Sequence, residues 1–189
     1  MELWSIGHST HSLDRLVELL ALHGVTLLAD VRTVPRSRLH PHVAAQALAV
    51  SLPPRGVAYR HLPRLGGWRR AAPDSPNGGW RNASFRGYAD HALTADFAAG
   101  LAELEALAAE RRTAIMCSEA VWWRCHRRLI ADRVVAGGGT VWHIGADGRV
   151  AGHALAPFAQ VRPDGTVRYP AAAGDGPGGL DRPGPGDGA

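Results

Sequence analysis

Val25-Thr26-Leu27-Leu28-Ala29-Asp30-Val31-Arg32 is a nearly continuous apolar run, broken only by Thr26 and Asp30 before it ends on a guanidinium. A segment that is apolar on both faces belongs to a strand covered on both faces, as in a parallel sheet flanked by helices. The flanking sequence agrees. Leu3 to Ile6 reads as a first strand ended by Gly7-His8-Ser9. Ser12 then caps a helix with apolar residues at Leu13, Leu16, Val17 and Leu20, stopped by Gly24.

Beyond Arg32 the alternation continues. A helix is predicted from about His42 to Leu52, stopped before Pro53-Pro54, and a strand from Val57 to Leu62. From Pro63 to about Gly87 the glycines, prolines and arginines read as one long loop, and loops of that length inside a domain commonly bind something. A helix over about Thr94 to Arg112 carries Phe97, Leu101, Leu104 and Ala108 on one face. Strands around Ile115 and over Thr140 to Ile144 enclose a helix over Cys125 to Val135. Asp147-Gly148 and Asp164-Gly165 are hairpin turns, so Arg149 to Leu155 is expected to return antiparallel. The expected architecture is a single Rossmann-like α/β domain over residues 1–170, with a mainly parallel sheet and a C-terminal hairpin. The Gly-, Pro- and Asp-rich stretch 171–189 reads as a disordered tail.

Composition narrows the function classes. No run of eighteen apolar residues suggests a membrane span, and the N-terminus lacks the basic and apolar regions of a secretory signal. A cytoplasmic location is therefore expected, with Cys117 and Cys125 as free thiols. Net charge is +4, and its distribution is uneven. Residues 30–90 hold ten Arg against three acidic residues, and residues 124–133 hold four Arg against one Asp, while the remainder is net acidic. Segregated positive charge fits a face that meets an anion. All 21 basic residues are arginine, so arginine content alone reflects coding bias as much as function.

In open α/β sheets, ligands bind beyond the carboxyl ends of the strands. That edge would carry His8 and Ser9 after the first strand and Asp30 and Arg32 after the second. His61 and Arg64 follow the third strand, and Cys117 and Glu119 the fourth. His8 and Glu119 are candidates for proton transfer, and Cys117 for a nucleophile. Arg32 and Arg36, with Arg38 beyond them, form a phosphate or carboxylate clamp, and Asp30 is equally placed to pair with Arg32. Arg124, Cys125, His126 and Arg127 open the next helix, where anions bind well. Adjacent helical residues point about 100° apart, so only one of Cys125 and His126 should face the cleft.

Cys117, Cys125, His126 and His8 are zinc-ligand types, but no tight Cys-x2-Cys pair accompanies them, so neither metal nor other cofactor is expected. Cys117-x6-Arg124 has some likeness to rhodanese and cysteine-phosphatase loops, although Val121, Trp122 and Trp123 suit a tight anion cradle poorly. In the long loop, Trp68, Trp80 and Phe85 alternate with Arg69, Arg70, Arg81 and Arg86, a pattern that suits base stacking and phosphate contact or simply pins the loop to the domain.

These residues also form a recognisable set. Ser5-Ile-Gly-His-Ser9, Asp30-Val-Arg32 with Pro35-Arg-Ser-Arg38, His61-Leu-Pro-Arg-Leu-Gly-Gly67, and Cys117-Ser-Glu119 followed by Cys125-His-Arg-Arg128 occur in this order. The chain so resembles the domain of unknown function 488 family over about residues 2–145. The resemblance implies an α/β fold and supplies no activity. The leading expectation is an enzyme-like domain binding a phosphate-bearing small molecule or nucleic acid at the sheet's carboxyl edge. A thiol-dependent rhodanese- or phosphatase-like enzyme and a non-catalytic nucleic-acid-binding module are the alternatives.

Overall fold

The computed structural model describes residues 1–171. Its centre is a six-stranded sheet in the order β3-β2-β4-β1-β5-β6. The strands are β1 (Glu2–Gly7), β2 (Leu27–Asp30), β3 (Ala58–His61), β4 (Thr113–Cys117), β5 (Thr140–Ile144) and β6 (Val150–Gly152). The first five are mutually parallel, and β6 returns antiparallel to β5 after the Asp147-Gly148 turn, where Gly148 takes φ 85°. All four residues of β2 are buried, as its two-faced apolar run requires. A second hairpin pairs β7 (Gln160–Val161) with β8 (Val167–Arg168) around Asp164-Gly165. The α/β class read from the alternation is the observed one.

Helices cover both faces of the sheet. On one face, α1 (Leu13–Leu22) and α2 (Ala45–Ser51) bring Leu16, Leu19, Leu20 and Leu48 against Trp4, Ile6, Leu28 and Met116. On the other, α3 (Ala83–His91), α4 (Ala95–Glu110) and α5 (Arg127–Ala136) pack Tyr88, Phe97, Leu104, Leu129 and Ile130 against Leu3, Leu27, Ala29 and Ile115. Alternate residues of each strand feed alternate layers, as the pleat dictates. Ser12 caps α1 through the Arg15 amide, and Thr94 caps α4 through the Phe97 amide.

Three boundaries differ from the sequence reading, the first being α2, which starts at Ala45 after a 3-10 turn over Pro41–Val43 rather than near His42. The stretch 63–87 is not wholly loop, because α3 begins at Ala83, with the Asn82 side chain accepting from the Ser84 and Phe85 amides. Gly87, the expected loop end, lies inside that helix, and it is glycine there because a side chain would meet the Arg69 carbonyl at 2.5 Å. Helix α5 starts at Arg127 rather than Cys125, since Cys125 is extended (φ −127°, ψ 150°) after a short 3-10 turn over Trp122–Arg124. All but the first residue of the expected tail, 171–189, lie outside the described residues.

Candidate functional site

Strands β1, β2 and β4 sit side by side, so their carboxyl ends deliver His8, Asp30 to Arg32 and Cys117 to one edge. The ends are locked together. The His8 amide donates to the Cys117 carbonyl at 2.9 Å and the Ser9 amide to the Ser118 carbonyl at 3.0 Å. Gly7 is required at this junction, because a Cβ there would lie 2.0 Å from the Glu119 carbonyl oxygen. Ser9 follows with φ 44°, the only non-glycine positive φ among the described residues. That conformation is sparsely populated for L-residues and is held here by the surrounding strand ends.

Behind the edge lies a buried polar chain. Asp30, fully buried, accepts two hydrogen bonds from the Arg32 guanidinium, that from Nε at 2.8 Å, and a third from the Tyr59 hydroxyl at 2.7 Å. Arg32 also donates to the Val43 carbonyl at 2.8 Å. Its Nη1 lies 3.2 Å from His8 Nε2. His8 Nδ1 faces the Ser9 carbonyl at 3.0 Å, so Nδ1 carries the proton and Nε2 accepts from Arg32. Burial, with the Arg32 charge beside it, lowers the His8 pKa to about 4. His8 is thus a neutral ring with both nitrogens engaged, and it could act as a base only after releasing Arg32.

In front of this chain opens a cavity of about 300 Å³. His8, Ser9, Arg32 and Thr33 line it, as do Arg36, Ser37, Trp68, Cys117, Ser118 and His126. Arg36 is exposed, and its guanidinium has no partner among the described residues. Trp68 is 81% exposed, its amide anchored to Thr33 Oγ1 at 3.2 Å. The other rings of that segment turn inward: Trp80 is 3% exposed and packs on Phe85, Phe158 and Tyr169. The rings of this stretch therefore divide into one open indole, Trp68, and a packed pair, Trp80 and Phe85.

The floor of the cavity is a sulfur–imidazole cluster. Cys117 comes from the end of β4, and Cys125 and His126 from the junction between the 3-10 turn and α5. His126 Nδ1 lies 3.6 Å from Cys125 Sγ and 3.9 Å from Cys117 Sγ. Its Nε2 faces the Val31 carbonyl at 2.9 Å. A carbonyl only accepts, so Nε2 bears the proton and Nδ1 presents a lone pair to the two thiols. Of Cys125 and His126 only His126 lines the cavity, although both precede α5, so the 100° offset of helical neighbours is not the reason. The two thiols are unlike. The adjacent Cys117 thiol, aided by the Arg127 guanidinium with Nε 3.5 Å away, lowers the Cys125 pKa. The reciprocal influence of Cys125, with burial, raises that of Cys117.

The remaining expected site residues stand apart from the cavity. Arg127, 1% exposed, is held by Ser5 Oγ at 3.0 Å, by Cys125 Sγ and by the Glu119 carbonyl. Glu119 contributes that carbonyl and is itself exposed. Arg124 is exposed in the 3-10 turn. Arg64 pairs with Asp96 at 3.4 Å, while His61 Nε2 lies 2.8 Å from the Arg32 carbonyl and steadies the loop from behind. Sequence reasoning did not single out Ser37 and Ser118, whose only signal is a hydroxyl next to Arg36 and Cys117 in sequence.

A second polar chain runs beside α5. Tyr169 donates to buried Asp132 at 2.6 Å, Asp132 holds His153 Nε2 at 2.8 Å, and His153 Nδ1 meets His143 Nε2 at 2.9 Å. Trp122 stacks flat on His143, with ring centroids 3.9 Å apart. Burial pushes the His143 pKa far below its usual range.

Among protein-family models, one described as domain of unknown function DUF488 matches residues 12–134, and the chain belongs to that family. No curated protein and no solved structure matches the chain. Among the described residues, no helix is long and apolar enough to cross a membrane.

Proposed function

We propose that this DUF488 domain binds a phosphate-bearing ligand, a nucleotide or the end of a single-stranded nucleic acid, in the cleft at the carboxyl edge of its sheet. The observation that carries the reading is the pairing of an unpartnered Arg36 guanidinium with an exposed Trp68 indole around one cavity. An arginine fork suits phosphate oxygens and an indole suits a base, and a nucleotide presents both at cleft scale. The hydroxyls of Ser9, Ser37 and Ser118 line the same cavity and supply neutral donors to the phosphate. The volume, about 300 Å³, falls at the small end of ligand pockets and accommodates one nucleotide unit rather than a duplex. Arg32 and His8 act as the rigid rear wall in this reading, because their hydrogen-bonding groups are engaged within the protein.

The test is equilibrium binding of fluorescent single-stranded DNA, RNA and mononucleotides between about 50 and 200 mM salt. Affinity should fall as salt rises, and Arg36→Ala should weaken every phosphate-bearing probe. Binding that ignores salt, or that Arg36→Ala leaves unchanged, rules the reading out. Loss of base-bearing probes but not of inorganic phosphate in Trp68→Ala would place the base on the indole.

A further inference from the structure

The cavity floor has a chemistry that anion binding does not require. Cys117 Sγ, Cys125 Sγ and His126 Nδ1 all lie within 4.8 Å of one another, with Sγ–Nδ1 separations of 3.6 and 3.9 Å. A tetrahedral zinc ion, with Zn–S about 2.3 Å and Zn–N about 2.0–2.1 Å, separates sulfur from nitrogen by roughly 3.6 Å and sulfur from sulfur by roughly 3.8 Å. Both sulfur–nitrogen separations therefore stand near the spacing that one ion imposes, and the two sulfurs lie within 4.8 Å of each other.

We propose that Cys117, Cys125 and His126 form a three-ligand site for Zn²⁺, with the fourth coordination position opening into the cavity.

Four features beyond the ligand atoms fit a metal. The Val31 carbonyl takes the Nε2 proton of His126, which fixes the tautomer with Nδ1 free, the arrangement metal-bound imidazoles commonly show. The His126 ring is braced by Tyr88, with centroids 5.0 Å apart. Gly67 adjoins the ring on the cavity side, and a Cβ there would lie 2.6 Å from Nδ1, so glycine leaves space in front of the coordinating atom. Arg127 donates to Cys125 Sγ from behind, an outer contact that would hold this ligand in place. Cys117 and His126 line the cavity, whereas Cys125 is buried beneath them. An ion held by all three presents its remaining face to the cleft, where three-ligand zinc sites keep water or substrate. The ligands are Cys-x7-Cys-His in sequence, a spacing without the tight pair that usually announces zinc. They meet because a strand end and a helix start meet. This inference does not depend on the nucleotide reading, since the ion's three ligands exclude Arg36 and Trp68.

The experiment uses the full chain, reduced with a non-thiol reductant and stripped of metal. Zn²⁺ titrated against a chromophoric chelator should bind at one equivalent per chain, and Co²⁺ should give thiolate-to-metal charge-transfer bands with the visible intensity of a four-coordinate ion. Cys125→Ser and His126→Gln should each weaken Zn²⁺ binding at least tenfold, with circular dichroism confirming that both variants fold. Because the Co²⁺ spectrum of the unmodified chain reports thiolate ligation directly, the proposal stays testable even if a variant fails to fold. Inorganic phosphate added to the Co²⁺ protein should shift its visible bands, reporting the open position. Absence of stoichiometric Zn²⁺ binding, Co²⁺ bands without thiolate charge transfer, or variants that bind as tightly as the parent would each overturn the site. Arg36→Ala and Trp68→Ala should leave Zn²⁺ affinity unchanged, which separates failure of this site from failure of the nucleotide reading.

Discussion

Arg32 and Arg36 stand four residues apart on the loop after β2, yet they belong to opposite kinds of region. Arg32 is 6% exposed and its guanidinium is taken up by Asp30, Val43 and His8. Arg36 faces solvent across the same cavity with no protein partner among the described residues. Burying a charge is tolerable only when it is paired and hydrogen-bonded, so the rear wall must be internally complete. A recognition group must be incomplete until its ligand arrives. Arg32 is thereby scaffold, and Arg36 is the contact in the proposed reading, a distinction that net charge alone never makes.

The rear wall is most vulnerable at Asp30. Asp30→Asn leaves the Arg32 charge buried without its counter-ion and should destabilise the fold by about 3–5 kcal/mol, measured by urea unfolding. A loss under about 1 kcal/mol would mean that the rear wall is not held by this pair.

Acid tests the same wall. His8 is protonated below about 6.5 when unfolded but only below about 4 in the fold, because burial and Arg32 disfavour its charge. The unfolded state therefore binds more protons in that window, and stability should decline as pH falls from about 6.5 to about 4. His143, lowered in the same direction, adds to the slope. His8→Gln should remove up to one proton from the slope of unfolding free energy against pH. An unaltered slope in that variant would show that His8 titrates normally.

At the open rim the expectations invert. Arg36→Ala should keep unfolding free energy within about 0.5 kcal/mol of the parent. It should cost about 1.5–3 kcal/mol in binding of phosphate-bearing probes, the usual worth of a charged hydrogen bond. Trp68→Ala should likewise spare stability and cost about 1–3 kcal/mol per stacked base, detected as a loss for nucleotides with none for inorganic phosphate. If either substitution destabilises the protein as Asp30→Asn does, the division into wall and rim collapses.

The division was partly visible in the amino-acid sequence. The buried run 25–32 and the alternation around it led to the α/β sheet, because two-faced burial leaves an unmistakable apolar pattern. The strand ends bearing His8, Arg32 and Cys117 were legible for the same reason, since they follow where apolar runs stop. Helix α3 was not, because Gly87 looked like a loop residue when its role was to let the 69–71 backbone approach. The exclusion of Trp80 from the cleft was equally hidden, since an indole that packs on Phe85 and Tyr169 is spelled the same as one that faces solvent. The approach of Cys125 Sγ to His126 Nδ1 was masked by a helix start placed two residues too early. Sequence carries periodicity well and carries the direction of an irregular turn hardly at all.

The position of β1 has a practical consequence. It lies between β4 and β5 in the sheet although it is formed by residues 2–7, outside the matched span 12–134. A polypeptide trimmed to that span would lose β1 together with β5 and β6, the half of the sheet that β1 joins to β4. β3-β2-β4 would then end in an unpaired flank at β4, with Ser5 gone from Arg127 and His8 gone from Arg32. Such a fragment should associate or precipitate through its open strand. For expression, crystallisation or domain transplantation, the first seven residues are the keystone of the sheet, and any fusion to the amino terminus has to leave them free to enter its centre.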